Sequence, residues 1–393
     1  MTVRRQAGRH VLQIPGPSPI PERVLRAIDM PVIDHRGPEF GELGRATLDG
    51  IKQIFKTENP VLIYPSSGTG AWEAAIVNVL SPGDKVLMVE TGHFAAMWRA
   101  MALRWKIDVD FIPGDWRRGA SPAAIEEKLR EDSRHAIKAV MVVHNETSTG
   151  SISDIKAVRA AMDDARHPAL LLVDTISSLG SADYRHDEWG VDVTVSGSQK
   201  GLMLPSGLGF NAVSQKALAA ARKNDAPRSY WDWQDMLKSN ATGYFPYTPA
   251  TNLLYGLRAA IDMLLEEGLD NVFARHQRLA AATRAAVGAW GLELLCEAPS
   301  DYSPVLTAVL MPPGHDADRF RKILLENYDM SLGAGLSKLA GKAFRIGHLG
   351  ECNELSLISA LGGVEMALSD AGAPHQPGGV AAALRTLRRS EEP

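Results

Sequence analysis

The chain has 393 residues, 45% of them hydrophobic and 22% charged, the balance of an ordinary soluble globular protein rather than a disordered or fibrous one. That length allows two or three domains and a sizeable core. Lys+Arg 42 against Asp+Glu 46 leaves a net charge of −4, so no global positive field points to nucleic acid or an anionic membrane. The two cysteines, Cys296 and Cys352, support neither a disulfide framework nor a zinc site, and no metal is expected. No uncharged run approaches the roughly 20 residues of a membrane helix. The basic start MTVRRQAGRH lacks the apolar stretch of a signal peptide, and RRSEEP is no retention or peroxisomal tripeptide. The expected location is the cytoplasm.

Residues 1–10 read as a polar tail. Pro15, Pro17, Pro19 and Pro21 forbid a helix and favour an extended arm, which either packs on its own domain or reaches a neighbour. From residue 60 apolar bursts recur at 61–64, 85–90, 109–112, 138–144, 169–174 and 192–198. Stretches of helical spacing separate most of them, such as Trp72, Ala75, Ile76, Val79 and Leu80. Strands without in/out alternation, separated by helices, predict a parallel sheet covered on both faces. The rhythm then changes. Leu253, Leu257, Ala260, Ile261, Leu264 and Leu265 mark a long amphipathic helix stopped at Gly268, and a second helix is expected over 270–290. Strands near 305–312 and 343–347, with helices near 316–326 and 353–368, suggest a smaller α+β domain. The segment from Pro374 either caps that domain or frays.

Three places carry chemistry. Ser66-Ser67-Gly68-Thr69-Gly70 follows a predicted strand and opens a predicted helix, where backbone N–H groups suit a phosphate. It lacks the ending of a P-loop and the spacing of a dinucleotide fingerprint; alone, it is equally a plain strand-to-helix turn. Asp174 ends a strongly apolar strand, at the sheet edge where active-site groups of open α/β sheets gather. By itself it could be a helix cap, a solvent-facing turn or a buried anion. Lys200 follows a strand, flanked by Gly197, Ser198 and Gly201. A surface loop is the bland reading; a desolvated amine with lowered pKa is the functional one. Phosphate turn, strand-end carboxylate and glycine-flanked lysine together are what pyridoxal phosphate requires.

SSGTGAWEAA, HNETSTG, VDTISSLGS, SGSQKGLMLPSGLGF and FRIGHLGE, in that order, resemble the class V aminotransferases of fold type I. Within them the match is to the alanine/serine–glyoxylate group, nearest to the serine–glyoxylate branch, over roughly residues 10–370. The resemblance implies an α/β fold with a large domain on a mostly parallel seven-stranded sheet and a smaller C-terminal α+β domain. The expected division is an arm over 1–30, the large domain over 31–268, a helical connector over 269–290 and the small domain over 291–393. It implies that Lys200 attaches pyridoxal 5′-phosphate and shuttles the substrate proton, and that Asp174 pairs with the pyridine N–H. Ser67, Gly68, Thr69 and Gln199 would bind the phosphate, with Thr248 reaching it from the neighbouring subunit of a homodimer. Thr147 would bond the ring hydroxyl region, Ile176 would pack beneath the ring and Phe94 would stack on it. Arg345 would hold the substrate α-carboxylate as a planar fork. His93 and His144 are expected in structural hydrogen bonds, and the tryptophan-rich segment 228–236 in packing at the rim.

The implied reaction is a ping-pong transfer of an amino group to glyoxylate, giving glycine, with L-serine as the first donor and hydroxypyruvate as its product. Alanine and aspartate are the competing donors; aspartate needs a further cation, for which Arg36 is a candidate if its loop enters the site. A cysteine desulfurase or lyase needs a mobile loop cysteine, and Cys352 sits ahead of a helical pattern. A nucleotide-binding dehydrogenase lacks its fingerprint.

Overall fold

A computed structural model describes residues 7–388. Residues 1–6 of the expected tail, and the last five of the chain, lie outside the described residues. The arm starts with strand β1 (Val11–Gln13) and, directly after Pro21, helix α1 (Glu22–Ile28); α2 (Pro38–Phe55) follows. Strand–helix alternation then runs through β2 (Val61–Ser66), α3 (Gly68–Val79), β3 (Lys85–Val89), α4 (His93–Arg104), β4 (Asp108–Ile112), α5 (Pro122–Glu131) and β5 (Ile137–Val143). A small hairpin of β6 (Asn145–Glu146) and β7 (Ser151–Ile152) precedes α6 (Ile155–Asp164), β8 (Leu170–Asp174), β9 (Val193–Gly197) and β10 (Gly207–Val213).

Seven of these strands form one sheet in the order β2-β10-β9-β8-β5-β3-β4. Only β10 runs against the others; it pairs antiparallel with both β2 and β9. Strand β8 shows why the bursts lack alternation. Leu171 and Val173 enter a core with Phe40, Ile51 and Ile261 on one face, whereas Leu170 and Leu172 enter another with Trp72, Ile76 and Trp98. Each such side chain, fully removed from water, contributes about 1.5–3 kcal/mol. A sheet buried on both faces exposes chemistry only at its strand ends.

Helices α7 (Gln215–Lys223), α8 (Trp233–Asn240), α9 (Thr251–Glu267) and α10 (Leu269–Ala289) come next. Gly268, at φ 81°, makes the break between the last two, a conformation that costs glycine nothing. The remaining elements are β11 (Glu293–Leu294), β12 (Leu306–Leu310), α11 (Ala317–Tyr328), β13 (Met330–Ala334), β14 (Ala343–Gly347), α12 (Glu354–Asp370) and α13 (Gly379–Leu387). A second sheet has the order β1-β13-β14-β12-β11. The arm therefore packs within its own chain, with Val11–Gln13 parallel to β13, and then runs back toward the large sheet. The segment after Pro374 forms α13, whose Ala383 and Leu387 join the core of Trp290, Phe320 and Phe344.

Candidate active site

The C-terminal ends of β2, β8 and β9 open onto one cavity of about 250 Å³. Ser67, in extended conformation, ends the strand and lets α3 start at Gly68, so the free N–H groups of that first turn face the cavity. Ser67, Gly68, Thr69, Phe94, Thr147, Asp174, Ile176, Gln199 and Lys200 are brought together to line it. A side chain at Gly68 would overlap Ile176, so the turn and the residue expected beneath a ring are in contact through glycine alone.

Lys200 is held at both ends by the arm. Its amine donates to the carbonyl of Pro15, and its own carbonyl accepts from Ser18 Oγ at 2.8 Å. The N–H of Ser18 donates to the carbonyl of Gln199 at 3.0 Å. Gly16 passes so close that a Cβ there would collide with the lysine stem. Burial, with the nearby Arg345 guanidinium adding to it, lowers the Lys200 pKa to about 7. A neutral amine is then available near pH 7.

Asp174 is buried, and burial pushes its carboxyl up to about 7, against two donors that favour the ionised form. The Ile176 N–H reaches Oδ1 at 2.7 Å, and the Trp72 indole N–H reaches Oδ2 at 3.0 Å. A second carboxylate, Glu146, is 1% exposed. It accepts from Ser148 Oγ at 2.6 Å and from the N–H groups of Ser148, Ala95 and Phe94 at 3.0, 3.1 and 3.3 Å. Arg345 lies behind the wall formed by Thr147: its guanidinium donates to the carbonyls of Thr147 at 2.8 Å and Ala334 at 2.7 Å. Burial lowers its pKa to about 10, where it stays charged at neutral pH. The loop after β13 meets α4 beside it, with Lys338 paired to Glu90 at 2.6 Å and Ser337 bonded to His93 Nδ1 at 2.8 Å.

Three predicted residues do not line this cavity: Arg345, which lies behind Thr147, and Arg36 and Thr248. Arg36 is exposed, its guanidinium 2.7 Å from His35 Nε2, and Thr248 is exposed on the loop before α9. Cys352 is buried beside Gln13 and Ser356, and burial raises its thiol pKa, a setting opposed to nucleophilic attack. His144 is buried against Ser178 Oγ at 2.9 Å, with its pKa lowered to about 4 by burial, so it is neutral. Of the tryptophan-rich segment, Trp231 packs edge-on to Tyr64 and beside Gly70, on the outer side of the Ser67–Gly70 turn, and Trp233 is fully buried.

The sequence reading missed Gly16, Pro17, Trp72, Asn145 and Ser206, which also line the cavity. Trp72 carried a helical period and read as core. Asn145 and Glu146 lay inside a motif without a distinguishing spacing. Gly16 and Pro17 are 183 or more positions from Lys200, and only the parallel pairing of β1 with β13 brings them there.

A mostly parallel seven-stranded sheet, a second sheet fed by both chain ends, and lysine, aspartate and glycine turn at the C-terminal ends of β9, β8 and β2 define the architecture of fold type I aminotransferases. The chain belongs to the class V aminotransferases: that family's model matches residues 11–339. It is 51% identical to a serine–glyoxylate aminotransferase of Methylorubrum extorquens, over 99% of each chain. It is 48% identical to an L-aspartate–glyoxylate aminotransferase of Paracoccus denitrificans, over 96% of each. Among solved structures, pyridoxamine–pyruvate aminotransferase of Mesorhizobium loti matches with a TM-score of 0.91 at 29% identity, covering 98% of each chain.

Proposed function

We propose that this chain is a pyridoxal 5′-phosphate-dependent aminotransferase that moves the amino group of an L-amino acid, L-serine first, onto glyoxylate. The observation that carries the reading is the convergence of the Lys200 amine, the Asp174 carboxylate and the α3 N-terminus on one cavity. The residues fit the cofactor. Gln199 Oε1 is buried with no partner among the described residues, on a glycine-bounded cradle where a Cβ at Gly197 would lie 3.3 Å from the Gly68 nitrogen. The helix N-terminus suits a phosphate, and a buried carboxylate at about 7 is one that a cationic ring nitrogen would stabilise in its ionised form.

Bound there, the cofactor would supply an electron-withdrawing ring that takes up the negative charge developing on the substrate α-carbon. The protein does the rest. Ser67, Gly68, Thr69 and Gln199 would hold the phosphate, Phe94 and Ile176 would enclose the ring, and Thr147 would stand at its hydroxyl side. Asp174 would keep a proton on the ring nitrogen. Lys200, poised near neutrality, would hold the cofactor in the resting enzyme, then take the α-proton of the donor and redeliver it. Arg345 spends part of its fork on two carbonyls and offers the remaining donors to the α-carboxylate. Serine would give up its amino group and leave as hydroxypyruvate, and glyoxylate would then enter the same site, take up that group and leave as glycine.

Serine ranks first because, beyond Lys200 and the Arg345 assigned to the α-carboxylate, no further cation lines the cavity among the described residues, and a hydroxymethyl group asks for none. The identity to the aspartate–glyoxylate enzyme favours aspartate as the second reading, with Arg36 supplied by a neighbouring subunit. The reading includes a homodimer. A groove lined by Met97, Met101 and Trp105 adjoins the cavity and shares Thr69 and Trp72 with it, so a subunit seated there, bringing Thr248, would complete the wall. It also includes a cytoplasmic location, which two buried, unpaired cysteines suit; no helix of the described residues is long and apolar enough to cross a membrane. The test is kcat/KM for L-serine, L-alanine and L-aspartate with glyoxylate as common acceptor. Serine is expected to lead, with Lys200→Ala inactive. Absence of glycine formation from all three donors would overturn the reading, and a fully active dilute monomer would overturn the shared site.

A further inference from the structure

We propose that Trp72 is a positioning residue for Asp174, its indole N–H fixing the carboxylate in the orientation from which it faces the cofactor ring; this rests on the cofactor reading above. Trp72 stands one turn into α3, is 1% exposed, and lines the cavity. Its Nε1 donates to Asp174 Oδ2 at 3.0 Å, while the Ile176 N–H holds Oδ1 at 2.7 Å. Two donors on different oxygens leave the carboxylate no free rotation. Backbone alone would supply one of them; the other must come from a side chain.

The donor's chemistry matters as much as its place. An indole N–H donates and never accepts, so Oδ2 is confined to an acceptor role. Both donors therefore favour ionised Asp174 and oppose the burial that disfavours it. With the indole donor gone, the aspartate becomes more basic, and the proton it shares with a ring nitrogen moves toward the carboxylate. The ring then withdraws electrons less well. Lys200 and Glu146, the other charged groups acting on Asp174, are untouched by such a change.

Trp72 is itself oriented. Its ring lies flat on Trp98 of α4, with centroids 5.7 Å apart and planes 13° from parallel. Trp98 follows Phe94 by four residues, so the stack stands on the face of α4 that carries the expected ring-stacking residue. One indole thus joins the helix of the phosphate turn, the carboxylate for the ring nitrogen and the helix of Phe94. A tryptophan placed here for packing alone would need only the stack, and Phe would serve.

That difference is the test. Trp72→Phe keeps an aromatic ring against Trp98 and removes the N–H, together with the pyrrole half of the indole. We expect kcat with serine and glyoxylate to fall about tenfold, the loss of one hydrogen bond to a charged group, with KM for serine changed less than about twofold. The pH midpoint of the bound cofactor's visible band should rise by about one unit, because a less cationic ring leaves the lysine linkage more basic. Trp233→Phe, which removes the N–H of a buried indole that does not line the cavity, should leave that midpoint in place. A wild-type midpoint and kcat in Trp72→Phe would overturn the inference. If that variant does not fold, the wild-type protein decides. With nitrogen-15-labelled tryptophan, one indole N–H resonance should shift more with pyridoxal phosphate than with its analogue carrying carbon in place of the ring nitrogen. Equal shifts overturn the inference while a visible band leaves the cofactor reading intact; no visible band with either compound sinks the cofactor reading itself.

Discussion

Glu146 holds the start of the helix that carries Phe94: its carboxylate accepts from the Phe94 N–H at 3.3 Å and from the Ala95 N–H at 3.1 Å. The same carboxylate closes the Ser148 turn, and the Thr147 carbonyl between them receives Arg345. One buried anion thereby spaces the expected ring-stacking residue from the expected carboxylate anchor. Glu146→Gln keeps the volume but replaces an acceptor oxygen with a donor NH2 facing backbone N–H groups. We expect kcat/KM for serine to fall by about 10–100-fold, the range for a lost charge-assisted bond, with weaker retention of cofactor on dialysis. Steady-state kinetics and the retained visible absorbance check both.

Gly16 sits at φ 109° against the stem of Lys200. Gly16→Ala meets two costs there: a left-handed backbone that disfavours a Cβ by about 1–3 kcal/mol, and collision with the lysine whose amine must reach the substrate. Displacing a reacting group by an ångström can cost about a hundredfold, so kcat should drop by roughly that factor. Mass measurement after borohydride reduction should find less cofactor fixed on Lys200 than in the wild-type protein.

The chemistry of the site was legible wherever it sits at the end of a buried parallel strand, because such strands leave an unbroken apolar run that a polar residue visibly terminates. Asp174 and the Ser67–Thr69 turn are of this kind, and Lys200 stood out as a charge among glycines. Contacts made across the chain left no such trace. Trp72 fits the apolar stripe of its helix, and nothing local separates an indole that packs from one that also donates to Asp174. The strap of Pro15 to Ser18 over Lys200 depends on β1 joining β13, a parallel pairing across more than 300 residues. The reversed course of β10 was hidden too, since a strand buried on both faces has one composition in either direction. Arg36 and Thr248 are exposed and do not line the cavity of this chain, so their expected roles left no trace within it.

Four histidines are buried and neutral for the same reason. Burial lowers His144, His186 and His276 to about 4 and His348 to about 3, from an ordinary value of 6.5. His276 accepts the Gly350 N–H at 3.0 Å, a role that protonation would end. The unfolded chain binds these protons from about pH 6.5 downward, while the folded chain resists until about pH 4. The unfolded state therefore holds more protons in that window, and stability rises with pH across it. Each histidine is expected to cost on the order of 2 kcal/mol at pH 5 relative to pH 7.5. Urea unfolding of the cofactor-free protein at the two pH values should show the loss, and His348→Gln should lessen the pH dependence.

Arg345→Lys separates charge from fork. The guanidinium is anchored to the Ala334 and Thr147 carbonyls through different nitrogens, which fixes its plane before any carboxylate arrives. An ammonium has no plane to fix and cannot span both carbonyls while meeting a carboxylate with two parallel bonds. Burial adds a second penalty. It lowers the arginine from its ordinary value to about 10, harmless at neutral pH, but an amine starts near 10.4 and the same desolvation brings it close to the working range. The variant should lose about 100-fold in kcat/KM for serine, mainly through KM, if two charge-assisted bonds are weakened. Its deficit should widen between pH 7 and pH 9 as the amine loses its proton, whereas the wild-type KM should rise far less over that interval. A deficit independent of pH would place the whole effect in the lost geometry.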